Sequence, residues 1–536
     1  MKTTKRLLLI LLAMLMLVSS MLVGCKKDEE TDGDDTESVS TEESYETDEW
    51  GQRIYDTGIP DSLDYGGAKV NILVTTKGFG DPRRYEWYVQ TMNDTLTTEI
   101  YYRNEEIQEE LGVELVFAEK EEGSEINNYI TTNYSAGMGG VDIISNKHYN
   151  ATATTLMACY KNLMNEELTY LNLDHPYWNQ NFIDAATSYD RLFVIVGDNN
   201  LSTYMTTFAV FFNKKLLGDW HDGMTPDELY QIALDGNWTI DKLIELCKDT
   251  YNKLDNDASE KSVKDQYGFT SHRNSHAYDG FLAAFDMGLT QVDNEGNHTL
   301  DDSRTNAELL GGAAEKLATF YKTNDVYLIK NTDKNGGSYT EPIFNFKDGN
   351  SLFCVAGIGD CSHLTEMSAD TTGAYGLLPM PKYKTTEEGQ ENYYGGVQDS
   401  HNSMAVMFHG SQNYEMISAV LELFASKSYS SVRPVLFERV VKGQYLNEAK
   451  DAQVFDIILA GTRWDFTDIY ASAVVPAHDG AGNPMSVRNV VWRTAIYDAV
   501  YNGSKDGAGV TNGFAQHKVT IGEQLTALDT WMKDNG

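Results

Sequence analysis

Polar and aromatic side chains gather where buried strands are predicted to end. Phe79 and Trp87 follow an apolar run at residues 70–75, and Asn146, Lys147 and Tyr149 follow another at 141–144. Asp198, Asn199 and Asn200 come directly after the run Arg191–Val196, with Tyr204 shortly beyond. His272 and Arg273 follow Tyr267-Gly268-Phe269, and Asp360 follows Ser351–Ala356. Asp399 lies just past Gly395-Gly396, Trp464-Asp465 sits in a late loop, and Arg493 stands in the segment Val491–Ala495. Carboxylates, amides and guanidiniums offer paired acceptors or donors, which suits a ligand rich in hydroxyl groups. Aromatic rings cover the apolar C–H faces of the same kind of ligand. Each residue also has a plain structural alternative. Asp198–Asn200 can be a simple turn, Arg273 a surface ion pair, Trp87 a core ring beside Tyr85 and Tyr88, and Arg493 a local salt bridge.

Catalytic signatures give no comparable signal. GxSxG, HExxH, Walker A and SxxK patterns are absent in any convincing context. With 80 acidic residues some carboxylate pair always qualifies, so the sequence neither supports nor excludes a glycoside hydrolase. Asp255-Asn256-Asp257 opens like a calcium loop, but Glu260 replaces the required Gly and no Glu stands at the twelfth position, so it reads as a plain loop. No metal or cofactor is expected. Cys159, Cys247, Cys354 and Cys361 lack zinc or CxxC spacing and are expected to be reduced, buried thiols, although Cys354 and Cys361 are close enough in sequence to pair.

The elements that must position these residues alternate. Val70–Thr75 reads as a buried strand, Thr97–Leu111 as a helix stopped by Gly112, and Val113–Ala118 as a strand. A helix at Ile126–Ala136 and a short strand at 141–144 follow. That order predicts a parallel sheet covered by helices, with ligands beyond the carboxyl ends of the strands. Arg191–Val196, Phe208–Asn213 and Ser351–Ala356 are further strands, Asp241–Lys253 and Ala307–Tyr321 are helices, and the end of the chain is mostly helical.

The chain opens with Lys2, Lys5 and Arg6, an apolar run from Leu7 to about Val18, and Leu22-Val23-Gly24-Cys25. This pattern is an export signal, and the Cys after the small residue resembles a bacterial lipobox, which implies lipidation of Cys25. Residues 28–49 hold twelve Asp or Glu and no Lys or Arg, which predicts a self-repelling tether. The first 49 residues carry five positive and twelve negative charges, so about −31 of the formal −38 falls on the rest. A surface that acidic argues against nucleic acid as a partner and against direct docking on anionic lipid.

Phe211-Phe212-Asn213-Lys214-Lys215-Leu216-Leu217 resembles a segment of extracellular solute-binding proteins of the family 1 type, which includes the maltodextrin binders. Further segments follow in that family's order: Trp238–Leu243, Tyr267-Gly268-Phe269, Val292–Leu300, Phe346–Gly359, Tyr375–Pro381, Gly395-Gly396 and Val491–Ala495. The resemblance spans roughly residues 65–530. It implies an α/β, two-lobed periplasmic-binding-protein (type II) fold with hinge strands and an inter-lobe cleft. It places crossings near Leu201–Tyr204 and Tyr393–Gly395, and an aromatic residue in the late loop at Trp464. In maltodextrin binders the loop matching Asp142–Tyr149 contacts sugar but carries Trp where Asn146 stands here, so the ligand need not be the same.

The expected organisation is a signal peptide at 1–24, a lipidated Cys and tether at 25–64, lobe 1 at 65–203 and 394–440, lobe 2 at 204–393, and a helical segment packing on the lobes at 441–536. The expected function is capture of an oligosaccharide by a monomer that is held on the extracellular face of the membrane through its lipid alone. Its partner is then the permease of an ABC importer. A peptide or other solute, a sensor kinase partner, and a surface glycoside hydrolase are the alternatives.

Overall fold

The computed structural model describes residues 46–76, 86–121, 123–137, 139–256, 260–273, 275–300, 307–329, 341–367, 373–398, 402–406, 413–446, 448–502 and 506–535. Its strands, in chain order, begin with β1 (Ala68–Thr75), β2 (Val113–Lys120) and β3 (Ile143–Lys147). Next come β4 (Phe208–Asn213), β5 (Tyr267–His272), the hairpin β6 (Thr290–Val292) and β7 (His298–Leu300), and β8 (Val326–Ile329). β9 (Ser351–Gly357), β10 (Tyr375–Leu378), β11 (Gly395–Gly396), β12 (Asn402–Val406), β13 (Thr462–Arg463) and the short pair β14 (Ala477–His478) and β15 (Pro484–Met485) follow.

Two sheets organise the body from Thr47 onward. The first has the order β12-β3-β1-β2 and the second β10-β4-β9-β5-β8. β1 runs parallel to β2 and β3, while the late strand β12 pairs antiparallel with β3, Met404 opposite Ser145. β1 is central and covered on both faces, which is why Val70, Ile72, Leu73 and Val74 form a near-continuous apolar run. In the second sheet β4 runs antiparallel to both neighbours, and β5 runs parallel to β8 and β9.

Local chemistry sets the element ends. The helix Thr95–Leu111 starts at Asp94, whose carboxylate accepts the Thr97 N–H at 2.8 Å, and it buries Ile100, Ile107 and Leu111. It stops at Gly112, where φ is 59°. A Cβ at Gly112 would also collide with the Asp64 carboxylate, which is held in the turn that caps this helix by the Gly66 N–H at 2.8 Å. Gly112→Ala is therefore expected to cost at least about 1–2 kcal/mol of unfolding free energy, measured by urea denaturation. A cost near zero would mean that the turn at residues 64–67 does not close on the helix.

The structure departs from the expected elements in three places. Arg191–Val196 is extended and buried but is not a strand. It makes only isolated bridges, Arg191 to Ser188 and Ile195 to Met404. Its backbone groups are used by loops: Leu192 accepts from the Leu163 N–H at 2.7 Å, and Val196 from the Asn179 N–H at 2.9 Å. The helix expected to reach Lys253 covers only Ile240–Cys247. Asp325 takes the Thr250 and Tyr251 N–H groups at 2.9 and 3.1 Å and pulls the chain out of the helix. Residues 47–64, expected within the tether, lie against the folded body. Arg439 sits 5.1 Å from the Trp50 ring, and Tyr55 packs edge-on to Tyr177 at 6.4 Å.

The chain passes between the sheets through the short helix Leu201–Met205. It returns where Thr207 bridges Val397 and the Gln398 N–H reaches the Thr206 carbonyl at 3.1 Å. β13 then lies parallel to β11 on the return strand. Helix Tyr414–Lys427 packs on helix Thr95–Leu111, and the terminal helix Asp506–Asn535 packs along helix Ala307–Tyr321. Cys159, Cys247, Cys354 and Cys361 form no disulfide and are buried, and burial pushes the Cys159 thiol up to about 12. Among the described residues no helix is long and apolar enough to cross a membrane, and no group of His, Cys, Asp or Glu has metal-ligand geometry.

Candidate functional site

A cavity of about 340 Å³ opens between the two lobes beside β11 and β13. His148 at the end of β3, with Asn181 and Asp184 on helix Gln180–Ala186, lines it from the first lobe. Asp279 on helix Ser275–Ala284, Asp286 and the hairpin residues Gln291 and His298 line it from the second. Arg463, Trp464, Asp465, Asp468 and Arg488 complete the wall from the late part of the chain.

Most of these charges are already ordered in pairs. The Asp279 side chain is 1% exposed and receives both Arg493, with Nε at 3.0 Å from Oδ1, and Arg488, with Nη1 at 3.2 Å from Oδ2. Arg488 also donates from Nε to Asp468 Oδ1 at 2.8 Å, so one guanidinium spans two carboxylates. Arg463 donates to Asp286 Oδ1 at 2.6 Å while its guanidinium lies 3.3 Å from the centre of the Tyr394 ring. Asp465 performs a structural task. One oxygen caps helix Phe466–Ile469 through the Thr467 N–H at 2.9 Å, and the other takes the Leu289 and Thr290 N–H groups at 2.7 and 2.8 Å. That double anchorage fixes the neighbouring Trp464, half-buried and edge-on to Phe182 at 5.4 Å, at the cavity wall.

Burial raises the Asp468 carboxyl to about 7, with Asp465 and Asp279 adding to the rise and Arg488 opposing it. A carboxyl raised from 3.8 is protonated in the folded protein between about pH 4 and pH 7 but ionised in the unfolded chain. Its contribution to stability is thus fully present below about pH 4 and is lost as pH rises through about 7. Asp468→Asn is accordingly expected to raise the Tm relative to the unaltered protein at pH 8 and to give no gain at pH 4. An equal difference at the two pH values would contradict this assignment.

The structure distributes the sequence candidates unevenly. Trp464 lines the cavity, and Arg493 stands behind it through its pair with Asp279. The loop at 146–149 reaches the cavity through His148. Asn146 is fully buried and donates to the Gly123 carbonyl at 3.1 Å, and Lys147 ends β3 half-buried. Tyr149 is 37% exposed, and its carbonyl takes the Ser472 hydroxyl at 3.1 Å.

The remaining described candidates do not line the cavity. Trp87 is a core ring, 3% exposed and edge-on to Phe424 at 4.9 Å, because its carbonyl is pinned by Arg103 and Asn104. Asp198 is buried against Arg433 at 2.7 Å and accepts the Tyr204 hydroxyl. Asn200 accepts the Gly197 N–H at 3.1 Å, and Asn199 donates to the Met404 sulfur at 3.2 Å. These residues form an internal turn and ion pair rather than a cavity wall. Asp360 takes the Gly357 N–H at 3.0 Å and caps the turn Ile358–His363. His272 is fully buried at the end of β5, and the Arg273 guanidinium lies 5.8 Å from the Tyr497 ring centre. Phe79 and Asp399 lie outside the described residues.

Asp279, Asp286, Arg463, Arg488 and His298 were not among the sequence candidates. Asp279 and Asp286 were within reach of strand-end reasoning, because the helix after β5 carries them to the same edge of the sheet. His298 and Arg488 offer no such signal, since a hairpin strand and the start of a late helix meet here only through the topology.

Two α/β lobes, two crossings between them and a cavity at the crossings define the architecture of the two-lobed, type II periplasmic-binding-protein fold, as the ordered motifs imply. Solved structures share it along most of the chain. The sugar-binding protein MalE of Xanthomonas citri aligns with a TM-score of 0.55 at 11% identity, covering 88% of this chain and 100% of that one. An ABC substrate-binding protein of Listeria monocytogenes in complex with cycloalternan aligns at 0.51 and 10% identity, covering 85% and 99%. A family 1 extracellular solute-binding protein of Bifidobacterium longum subsp. infantis aligns at 0.50 and 13%, covering 86% and 100%. No protein-family model matches the chain, and no curated protein matches its sequence.

Proposed function

We propose that this protein captures an oligosaccharide in the inter-lobe cavity and delivers it to the permease of an ABC importer. The observation that carries the reading is the wall itself. An aromatic ring, Trp464, stands beside carboxylates of the second lobe and of the late part of the chain that are held in place by late guanidiniums, with His148, Asn181 and Asp184 facing them from the first lobe. Pre-ordered polar groups next to a stacking ring suit a solute with apolar faces and many hydroxyls. The names of the structural relatives, a sugar-binding protein and a binder solved with cycloalternan, point the same way. In this reading Trp464 stacks on a sugar ring, and Asp279, Asp286 and Arg463 meet hydroxyls. Cys25 carries the lipid that holds the protein on the extracellular face, with the acidic stretch 28–46 as spacer.

The protein binds and does not turn its solute over. Asp468 has the raised carboxyl that a general acid requires, so turnover is measured beside binding. The test is a thermal-shift screen against neutral oligosaccharides, monosaccharides and peptides, with product analysis of every hit. A ligand that binds only the folded state raises the Tm by mass action. A rise with one glycan series and no cleavage is the expected result. A rise with peptides alone replaces the solute class, and cleavage of the glycan replaces the binder by a hydrolase.

A further inference from the structure

His298 and Asp529 form a buried pair at the edge of the cavity. His298 is 3% exposed and lines the cavity, and Asp529 on the terminal helix is 2% exposed. Asp529 Oδ2 accepts the His298 backbone N–H at 2.6 Å, and Oδ1 lies 3.1 Å from His298 Nδ1. The same Oδ1 accepts the Ser188 hydroxyl at 2.7 Å. The imidazole is stacked on Phe466, 3.6 Å between centres and 12° between planes. Two features follow. A carboxylate beside Nδ1 keeps the proton on that nitrogen, which leaves Nε2 for another partner. Among the described residues Nε2 has no protein partner, and the ring borders the cavity. Moreover, Ser188 follows helix Gln180–Ala186, whereas His298 stands on the β6–β7 hairpin against which the terminal helix packs, so Asp529 joins segments that line opposite walls of the cavity. Tyr189, next to Ser188, adds a second link by donating its hydroxyl to Asn297.

Resting on the reading of the cavity as a solute site, we propose that His298 contacts the solute through Nε2. Asp529 is the positioning residue that orients it and couples this contact to closure of the lobes through Ser188. A solute hydroxyl donates to Nε2 when the ring is neutral and accepts from it when the ring is protonated. Parting of the lobes takes Ser188 away from Asp529, so a buried carboxylate loses a donor, which disfavours the open form.

The test uses the full chain and the saccharide that raises its Tm most. By calorimetry His298→Phe, which keeps the stack on Phe466, is expected to raise Kd about tenfold, the size of one lost hydrogen bond. His298→Gln restores part of that loss. Ser188→Ala leaves the contact in place, is expected to raise Kd only two- to threefold (roughly half a hydrogen bond), and enlarges the unliganded radius of gyration. Because a variant can lose its fold, ¹⁵N spectra of the histidine rings in the unaltered protein provide a second measurement. The His298 signals, assigned by their loss in His298→Gln, are expected to show a protonated Nδ1 and an Nε2 that shifts on saturation. A protein that binds the saccharide while these signals stay fixed and His298→Phe binds normally overturns the proposal and leaves the solute site standing. A protein that binds no saccharide overturns both.

Discussion

Asp279→Ala is expected to lower the unfolding free energy by about 3–5 kcal/mol, the usual cost of removing one partner from a buried ion pair. The magnitude follows from burial. Asp279 is 1% exposed and is the shared partner of Arg488 and Arg493, whose side chains are 11% and 24% exposed. Its loss leaves two guanidiniums in a partly desolvated wall, with Arg488 retaining Asp468 and Arg493 losing its bidentate carboxylate. Asp286→Ala is the contrast. Asp286 and Arg463 are 37% and 38% exposed, and a pair that open to water contributes no more than about 1 kcal/mol. Urea denaturation of the two variants separates the cases. Equal, small losses in both would mean that the arginine–aspartate cluster does not order the cavity wall.

Trp464→Ala is expected to weaken saccharide binding by about 10- to 100-fold in Kd, the equivalent of roughly 1.5–3 kcal/mol of ring burial and stacking. The ring is half-buried, packs on Phe182 with one edge and lines the cavity. Its backbone is fixed independently by the hydrogen bonds of Asp465, so the loop should keep its course when the ring is removed. Trp464→Phe, which preserves a stacking face, is expected to recover most of the affinity. Calorimetry with the same saccharide checks both variants. An unchanged Kd for Trp464→Ala would remove the ring from the solute site.

How far the sequence reveals this molecule depends on the distance over which each signal acts. The strand–helix alternation from residue 68 to 147 is legible because its determinants are local: apolar runs for buried parallel strands, Gly112 past the helix end, and the sharp turn before β1. Arg191–Val196 misleads because an apolar, buried segment looks the same whether its backbone pairs with a strand or with the loops at Leu163 and Asn179. The overlong helix after Thr239 fails for a related reason, since the carboxylate that ends it is Asp325. Trp464, which lines the cavity, is legible in the sequence as an aromatic residue in a late loop where related proteins place one. Asp198 is not, because the residue that uses its charge, Arg433, is remote in sequence and turns a promising polar run into an internal ion pair. The arginines of the cavity wall come from β13 and from the start of a late helix, and nothing in their own neighbourhoods distinguishes them from surface charges.

Small-angle scattering of the full chain, with and without the saccharide that stabilises it, tests capture between the lobes most directly. A smaller radius of gyration at saturation, reached by Trp464→Ala only at higher saccharide concentration, is the expected result, as closure about a hinge requires. A radius that stays constant while calorimetry shows the saccharide bound would contradict capture in the inter-lobe cavity.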